Sequence, residues 1–548
     1  MKLLMNSSEK RRMYKVIDLF AGAGGLSLGF EQAGKYIIKV AFENNPAMQA
    51  TYKKNHPNVD VRGDVCAADY KKIIDEYGSI DIVIGGPPCQ GFSNANRQKS
   101  HAINQNNLLV KEYIRAIQEL QPKAFVMENV SMLKSDVHRF FLSYGDKEKI
   151  LNYGIKTSEI PLLLLEKDCF FEGAEEISKN QSLVEKYLWT QDDFSILNVI
   201  YKFAKNHKKF EKALVKHKKK LLSLISKKEY VDENGYINSV NSDAFNAIRF
   251  YFEEKLDSNE VAKRIKNAVC IQKMLNKSKE IFDNDLIVSR YDNENGLVAF
   301  IYSYAVYDYL KAVLGSPQNE YVITDKVICA ADYGAPQKRM RFVVLGVKKT
   351  ISEEIALPVG SFDKNNYRKV SDAIKDLEEI NPVYDVEDDI HGITLPKEEN
   401  LSDLAKKLRD SNILRNHIIT KTTDIAMARF KAISEGGNFH SLSDEMKENT
   451  YTDVKRTQNT IYLRLKYDEP CGTVVNVRKS MWIHPKKNRA VSVREAARLQ
   501  TFPDSFVFCG SKDKQYQQVG NAVPPMMAKA IAEKIASVLD KQGSDSID

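Results

Sequence analysis

The sequence predicts an α/β protein with a mostly parallel central sheet, and three observations carry that reading. Apolar runs of strand length recur through residues 14–130 and alternate with helical spacing, as βαβ units require. A glycine-rich turn stands directly between the first run and the first helix. At 548 residues, with 43% apolar and 28% charged content, the chain can bury a large core and fill two to four domains.

The first run, "YKVIDLF", reads as a buried strand ending at Phe20, and "AGAGGLSLGF" turns from it into a helix that continues through "EQAG". The apolar "YIIKVAFE", the strand-like "VDVRGD" and the strand "IDIVIGG" follow, separated by polar helical segments. "LLVKEYIRAIQEL" has helical spacing, and "PKAFVMENV" is a further strand. Residues up to Val130 thus account for most of one doubly wound domain.

From about 131 to 295 the chain becomes Lys- and Glu-rich with helical patterning, and residues 202–229 carry eleven Lys against two Glu. Phe203, Phe210, Leu214, Leu221 and Ile225 fall on one stripe there; the opposite basic face is either simply solvated or a contact for a DNA backbone. α/β patterning resumes with "LVAFIYSYAVYDYLKAVL" and the strands "EYVITDKVICA" and "MRFVVLGV". Residues 347–480 are polar and irregular, with a Gly-Gly turn at 436–437 and β-like runs such as "TIYLRLKY" and "GTVVNVR". The helix "VREAARLQ" and the amphipathic helix "PPMMAKAIAEKIASVLD" close the chain, which has no internal repeat.

No apolar run approaches the ~18 to 20 residues of a membrane helix, and "MKLLMNSSEKRRMYK" lacks a signal peptide's apolar core. A soluble, cytoplasmic protein is expected. Seven scattered cysteines without C-x-x-C argue for a reducing compartment and against a disulfide framework or a clustered metal site. The formal charge of +8 is compatible with a polyanionic partner, as it is with many proteins that bind none.

"DLFAGAGG" puts Gly22, Gly24 and Gly25 at a strand-to-helix turn, where missing side chains let backbone approach a ligand. It is neither a P-loop, since no G-K-[ST] follows, nor G-x-G-x-x-G, since Ser27 stands where the third glycine belongs. Glu43 ends the second strand, where a carboxylate can accept from ribose hydroxyls, and Asp64 ends the third. Each acid alone is equally readable as a helix cap or a solvated charge. Together with the turn they describe an adenosine-containing pocket at the carboxyl ends of parallel strands.

Cys89 follows the fourth strand on that same edge. Pro87 and Pro88 restrict the backbone before it and Gly91 permits a sharp turn after it, so the sulfur is held at a strand tip rather than packed as core. The polar segment from Gly91 to about Asn107 reads as a mobile lid. Glu128 ends the next strand and can hydrogen-bond a ring nitrogen, while Arg339 and Arg341 of "QKRMR" can favour a thiolate and contact an oxygen or phosphate.

The ordered segments "DLFAGAGGLSLGF", "GGPPCQGFS", "MENV", "DYGAPQKRMRFVVLG", "VREAARLQTFPDSF" and "QVGNAVPP" resemble the motifs of the DNA (cytosine-5)-methyltransferases of bacterial type. They cover residues 14–130, about 297–346 and 488–535. The resemblance implies a Rossmann-like S-adenosylmethionine-dependent methyltransferase fold, α/β with a mixed, mostly parallel sheet. It divides the chain into a first catalytic part (1–135), a helical insert (136–295), a second catalytic part (296–346), a smaller β-rich target-recognition domain (347–490), and a hinge with the catalytic C-terminus (491–548). S-adenosylmethionine would be held by Phe20, Gly22, Gly24, Leu26, Glu43, Asp64, Val65, Pro87, Asn521 and Val523, with no metal.

By the same resemblance Cys89 would add to C6 of a cytosine flipped out of double-stranded DNA. Glu128 would bond N3 and the exocyclic amine, Arg341 the O2, and Arg339 would brace the site. The expected setting is a monomer on prokaryotic DNA, with or without a cognate restriction endonuclease. "PPCQGFS" and the large 347–480 region favour DNA over the tRNA-methylating branch that shares these motifs. Intact Cys89, Glu128, Arg339 and Arg341 argue against a silent DNA binder. The departure is the spacing of 209 positions between Glu128 and Gln337, where compact members have a few dozen.

Overall fold

The computed structural model describes residues 13–88, 106–130, 139–227, 235–447 and 457–541. The chain forms two compact units, one from Met1–Cys89, Asn106–Ser135 and Leu310–Asp548, the other from Gln90–Gln105 and Asp136–Tyr309.

In the first unit seven strands make one sheet: β1 (Tyr14–Leu19), β2 (Tyr36–Phe42), β3 (Asp60–Arg62), β4 (Ile82–Gly85), β5 (Ala124–Val130), β6 (Tyr321–Cys329) and β7 (Met340–Lys348). Their spatial order is β6-β7-β5-β4-β1-β2-β3. β1, β2, β3, β4 and β5 pair in parallel, and β7 runs antiparallel to both β5 and β6. Val16, Ile17, Leu19 and all of β4 are buried, as expected where helices cover both faces of a parallel sheet.

The helix Gly25–Gln32 and the C-terminal helix Pro525–Leu539 share one core with β1, β2, β4 and β5, through Leu26, Phe30, Met527, Ile531 and Ile535. A Cβ on Gly29 would stand 2.4 Å from the Ala528 Cβ, so the two helices touch almost backbone to backbone there. Tyr36 donates to the Ala532 carbonyl at 2.5 Å and Tyr14 to Asp540 at 2.8 Å, tying the last helix to the first two strands.

Beyond β7 the expected β-rich module is largely absent. Among the described residues of 347–490 there is one two-stranded ladder, Ile393–Thr394 with Ile413–Leu414, beside isolated bridges. "TIYLRLKY" forms no strand because its backbone bonds scatter: Tyr462 donates to Ser480, Arg464 to Gly437 and Leu465 to Ile483. In "GTVVNVR", Asn476 instead caps the short helix Val477–Ser480.

What holds this region is an apolar cluster around Trp482, Phe502, Phe506 and Phe508, threaded by buried guanidinium groups. Arg498 is paired with Asp504, Nε to Oδ1 at 2.9 Å and Nη2 to Oδ2 at 2.5 Å, and with Asp376 at 2.6 Å. Arg494 donates to the carbonyls of Arg415, Pro503 and Phe506. Arg464 serves those of Phe430, Ile433, His484 and Lys487.

The second unit is not purely helical. The strands Arg139–Phe141, Thr157–Glu166 and Val288–Asp292 all pair antiparallel with Gly296–Ala305. The expectation that 296–309 returns to the catalytic sheet is therefore corrected, and this unit runs to Tyr309. The run "LVAFIYSYA" alternates buried with half-buried residues, which suits a strand covered on one face. Helices Gln191–Tyr201, His207–Lys227, Tyr236–Phe252 and Ser258–Asp283 bury a separate core around Trp189, Phe210, Phe245 and Ile265. Phe203, expected on that stripe, lies in the turn before the second of these helices and is exposed. No helix among the described residues is long and apolar enough to cross a membrane.

Two buried histidines of the first unit set a pH dependence. His484 accepts at Nδ1 from the backbone N–H of Lys486 and Lys487, and burial pushes its pKa from 6.5 down to about 4. His417 lies between Ser492 and the Ile380 carbonyl, and burial likewise holds it at about 4. Because both fold neutral, their stability contribution is present above pH 6.5 and is lost as the pH falls toward 4. Asp18 opposes them: burial raises its pKa from 3.8 to about 7, so its contribution is greatest below 3.8 and is lost as the pH rises through 7. Two histidines outweigh one aspartate, so urea midpoints should correspond to stability falling by about 1 to 2 kcal/mol from pH 7 to pH 5. Asp18→Asn, lacking the counterweight, should show about twice that fall over the same range.

Candidate active site at the carboxyl ends of the sheet

Strand order directs attention to one edge. The chain runs outward from β1 through β2 to β3 on one side and from β4 to β5 on the other, so the reversal falls between β1 and β4. In open α/β sheets the crevice at such a reversal is where ligands bind. Leu19 pairs with Gly85, so the two strands end level, and the glycine turn leaves one as Gly86, Pro87 and Pro88 leave the other.

At the turn, Phe20, Gly22 and Gly24 all adopt positive φ, at 60°, 58° and 94°. Nothing lies within 4 Å of a Cβ placed on Gly22, whereas one on Gly24 would meet His56 Nε2 at 2.5 Å and Tyr52 at 3.0 Å. Glu43, from the end of β2, accepts from the backbone N–H of Gly22 at 2.9 Å and of Asn45 at 2.7 Å. Burial raises the pKa of its carboxyl, and those backbone donors partly offset the rise. A Cβ on Gly25 would stand 2.4 Å from the Val523 carbonyl, which seats the turn against the segment before the C-terminal helix.

Three residues that sequence reasoning passed over, Asp18, Tyr52 and His56, support this turn. Ser27 donates to Asp18 at 2.6 Å and bonds Tyr52 OH at 2.7 Å, all of them buried. The hydroxyl explains why serine rather than glycine stands there. Asp18 Oδ1 has no partner among the described residues. His56 packs on Tyr52 and bonds Glu31 through Nδ1 at 2.8 Å, turning Nε2 toward Gly24. A lone acid inside the apolar run "VIDLF" was the available signal for the first of these.

The other half of the site comes from β5 and β7. Glu128 pairs in register with Val343, and Arg341 reaches it with Nε 2.5 Å from Oε1, both side chains mostly buried. Glu128 Oε2 lies 3.2 Å from where a Cβ of Gly86 would be, so glycine keeps the space beside the carboxylate clear. Arg341 Nη1 donates to the Met340 carbonyl, and Nη2 has no partner among the described residues. Asn129 donates to the Pro87 carbonyl at 2.9 Å and ties the β4 exit to β5.

Arg339 points elsewhere. Fully buried, it donates to the carbonyls of Val474 at 2.8 Å and Gly520 at 3.0 Å, and burial together with neighbouring Arg341 lowers its pKa well below the ordinary arginine value. Gln337 beside it bonds Leu499, Gln500 and Val474, so the lead into β7 is anchored on both later segments. Leu26 turns its side chain into the core. Asp64 is exposed and caps the turn Val65–Ala67 through the N–H of Cys66, while Val65 is buried. Asn521 is exposed and accepts from Gln517 at 2.8 Å. Cys89 and the expected lid from Gly91 lie outside the described residues, except that 106 and 107 open the helix Asn106–Leu120. Away from this edge, ligand atoms of Glu166, Cys169 and Cys270 lie within 4.8 Å of one another, a proximity invisible in their spacing.

Comparison with known proteins places the chain in a family. The model of the C-5 cytosine-specific DNA methylases matches residues 14–161 and 310–537. Type II methyltransferase M.DdeI of Desulfomicrobium norvegicum is 24% identical over 537 residues, spanning 95% of this chain and 88% of that protein. M.AgeI of Thalassovita gelatinovora is 26% identical, spanning 95% of this chain and 99% of that protein. Among solved structures, a DNA modification methyltransferase encoded within an E. coli prophage shares the fold, with a TM-score of 0.54 at 20% identity, covering 96% of this chain and 99% of that one.

The two glycines should differ in what they tolerate. Gly22→Ala meets only the left-handed backbone penalty and should cost about 1 kcal/mol. Gly24→Ala adds a collision with His56 and Tyr52 and should cost about 2 to 4 kcal/mol. Equilibrium urea unfolding of the two variants checks the ranking, and equal losses would refute the packing account.

Proposed function

The chain belongs to the C-5 cytosine-specific DNA methylases, and from that premise we propose how its residues divide the work of a DNA (cytosine-5-)-methyltransferase. The substrate is a cytosine flipped out of double-stranded DNA, and S-adenosylmethionine is the methyl donor. The observation that carries the reading is the Glu128–Arg341 pair, 2.5 Å apart and next to the Gly86-Pro87-Pro88 segment that leads to Cys89.

C5 of cytosine is a weak nucleophile within an aromatic ring. Addition of the Cys89 thiolate to C6 breaks that aromaticity and moves an electron pair toward C5. Glu128 accepts from the exocyclic amine and donates a proton to N3, which draws electron density from the ring as the sulfur adds. Arg341 orients Glu128 through Nε and offers Nη2 to the base's O2. Once C5 carries the methyl group in place of the electron pair it was given, loss of the C5 proton to a water-derived base re-forms the C5–C6 double bond and expels Cys89 as thiolate. The C5–C6 edge is shielded within a base stack, so flipping, at a few kcal/mol, precedes the chemistry. Contacts to the DNA backbone and the emptied stack offset that cost.

S-adenosylmethionine, when bound, supplies an electrophilic methyl group on a sulfonium. The site fits it in three respects: an open left-handed turn at Gly22, a carboxylate on Glu43, and a crevice at the strand reversal. Phe20, Gly22, Gly24, Glu43, Asp64, Val65, Pro87, Asn521 and Val523 would hold it, with Leu26 contributing backbone only. Arg339 is a positioning residue that keeps β7 in place through Val474 and Gly520. Residues 347–490 would read the target, and the names of the type II relatives suggest a cognate restriction endonuclease as partner.

Cys89→Ser should abolish methylation, and bisulfite sequencing of DNA from a host without its own cytosine methylation reads this directly. Wild type should protect cytosines in one short sequence context, and the variant none. Protection that persists in Cys89→Ser would remove the covalent mechanism. Glu128→Gln should lower kcat by about 10²- to 10⁴-fold while leaving S-adenosylmethionine affinity intact, measured by single-turnover methyl transfer and calorimetry.

A further inference from the structure

We propose that the basic face of the helix His207–Lys227 is a docking surface for the phosphate backbone of duplex DNA, read without regard to sequence. The proposal rests on the reading of the chain as a DNA-acting methyltransferase.

Charge segregation within the insert is the first observation. Residues 136–309 contain 27 Lys and Arg against 27 Asp and Glu, so the segment is neutral as a whole. Yet residues 202–227 hold ten Lys against the single acid Glu211, leaving 17 basic and 26 acidic residues for the remainder. General basicity of the protein cannot account for this, because the surroundings are acidic.

Geometry is the second. The helix buries Phe210, Ala213, Leu214, Leu221, Leu224 and Ile225 on one face. At 100° per residue, Lys208, Lys212, Lys216 and Lys219 fall within roughly 80° of arc on the opposite face, and Lys209, Lys220 and Lys227 widen it to about 120°. All seven are exposed. From Lys208 to Lys227 the stripe runs about 28 Å at 1.5 Å per residue. Duplex DNA presents one negative charge per roughly 1.7 Å of its axis, a repeat this length can engage several times.

The third observation is that the protein does not neutralise these charges itself. Glu211 is held by His207 at 3.5 Å and by Ser258 at 3.2 Å. Lys218 turns aside to lie over the Phe252 ring. Among the described residues Lys208, Lys212, Lys216, Lys219 and Lys220 have no carboxylate partner, whereas Lys255 and Lys263 elsewhere in the insert pair with Glu253 and Glu260. Like charges four residues apart destabilise a helix, so this stripe opposes folding, and a bound polyanion would relieve the repulsion.

The test uses the full-length protein with Lys208, Lys212, Lys216 and Lys219 all changed to Gln, beside a control in which Lys147, Lys167, Lys255 and Lys263 are changed to Gln. Both sets remove four charges from the same unit. Fluorescence anisotropy with a 30-base-pair duplex of arbitrary sequence would be followed from about 50 to 200 mM salt. Four lost phosphate contacts should lower the slope of log affinity against log salt by about 3 to 4, and affinity at low salt by more than tenfold, with a urea midpoint no lower than that of the wild type. The control should shift the slope by less than about 1. An unchanged slope, an equal shift in the control, or tighter binding of duplex RNA than of DNA by the wild type would overturn the proposal. Methylation intact with the slope unchanged removes the stripe alone; a changed slope with a wild type that methylates no DNA supports the stripe and removes the reading beneath it.

Discussion

The parallel pairing of β1 with β4 is the constraint on which the site depends. Leu19 opposite Gly85 ends the two strands level, and the chain leaves them toward opposite edges of the sheet. The crevice between the departing turns receives a glycine-rich backbone from one side and the Pro87-Pro88 segment from the other. Each further strand adds one group by register: β5, with Met127 opposite Gly85, contributes Glu128, and β7, antiparallel to β5, contributes Arg341. A slip of one residue in either pairing would send its side chain to the other face of the sheet.

Buried guanidinium groups do for the C-terminal half what hydrogen-bonded strands do for the N-terminal half. Arg339, Arg464, Arg494 and Arg498 are each at most 5% exposed, and each serves carbonyls or carboxylates from segments far apart in sequence. A charge in such surroundings is costly unless its donors are matched. The five N–H groups of arginine in a rigid fork suit the task, since one side chain can meet several carbonyls that no regular element satisfies. Arg339 connects this scheme to the candidate site, because the residue that holds the Val474 and Gly520 carbonyls lies two positions before Arg341.

The insert follows a different logic. Its sheet and helices close their own cores, and the family match breaks off at residue 161 and resumes at 310, where the first unit also resumes. The spacing of 209 positions between Glu128 and Gln337 is thereby accommodated without altering the seven-stranded order.

Much of this was legible in the chain itself, and the reason is locality. The glycine turn, the strand ends carrying Glu43, Asp64 and Glu128, and the Pro-Pro-Cys segment depend on residues within a few positions of one another, so spacing and residue type suffice to place them. The same rules misassigned Gly296–Ala305, because an alternating apolar run specifies a strand but not the sheet it joins. They also read strands into "TIYLRLKY", whose backbone partners come from three separate segments. Apart from the lone acid in "VIDLF", the Ser27–Asp18–Tyr52 contacts, His56 beneath Gly24, and the gathering of Glu166 with Cys169 and Cys270 had no local signature. The sequence by itself determined the glycine turn and the order in which strand ends carry Glu43, Asp64 and Glu128. Tertiary structure alone decided which sheet each ambiguous strand entered and which buried charges found partners, because those outcomes rest on contacts between residues tens to hundreds of positions apart.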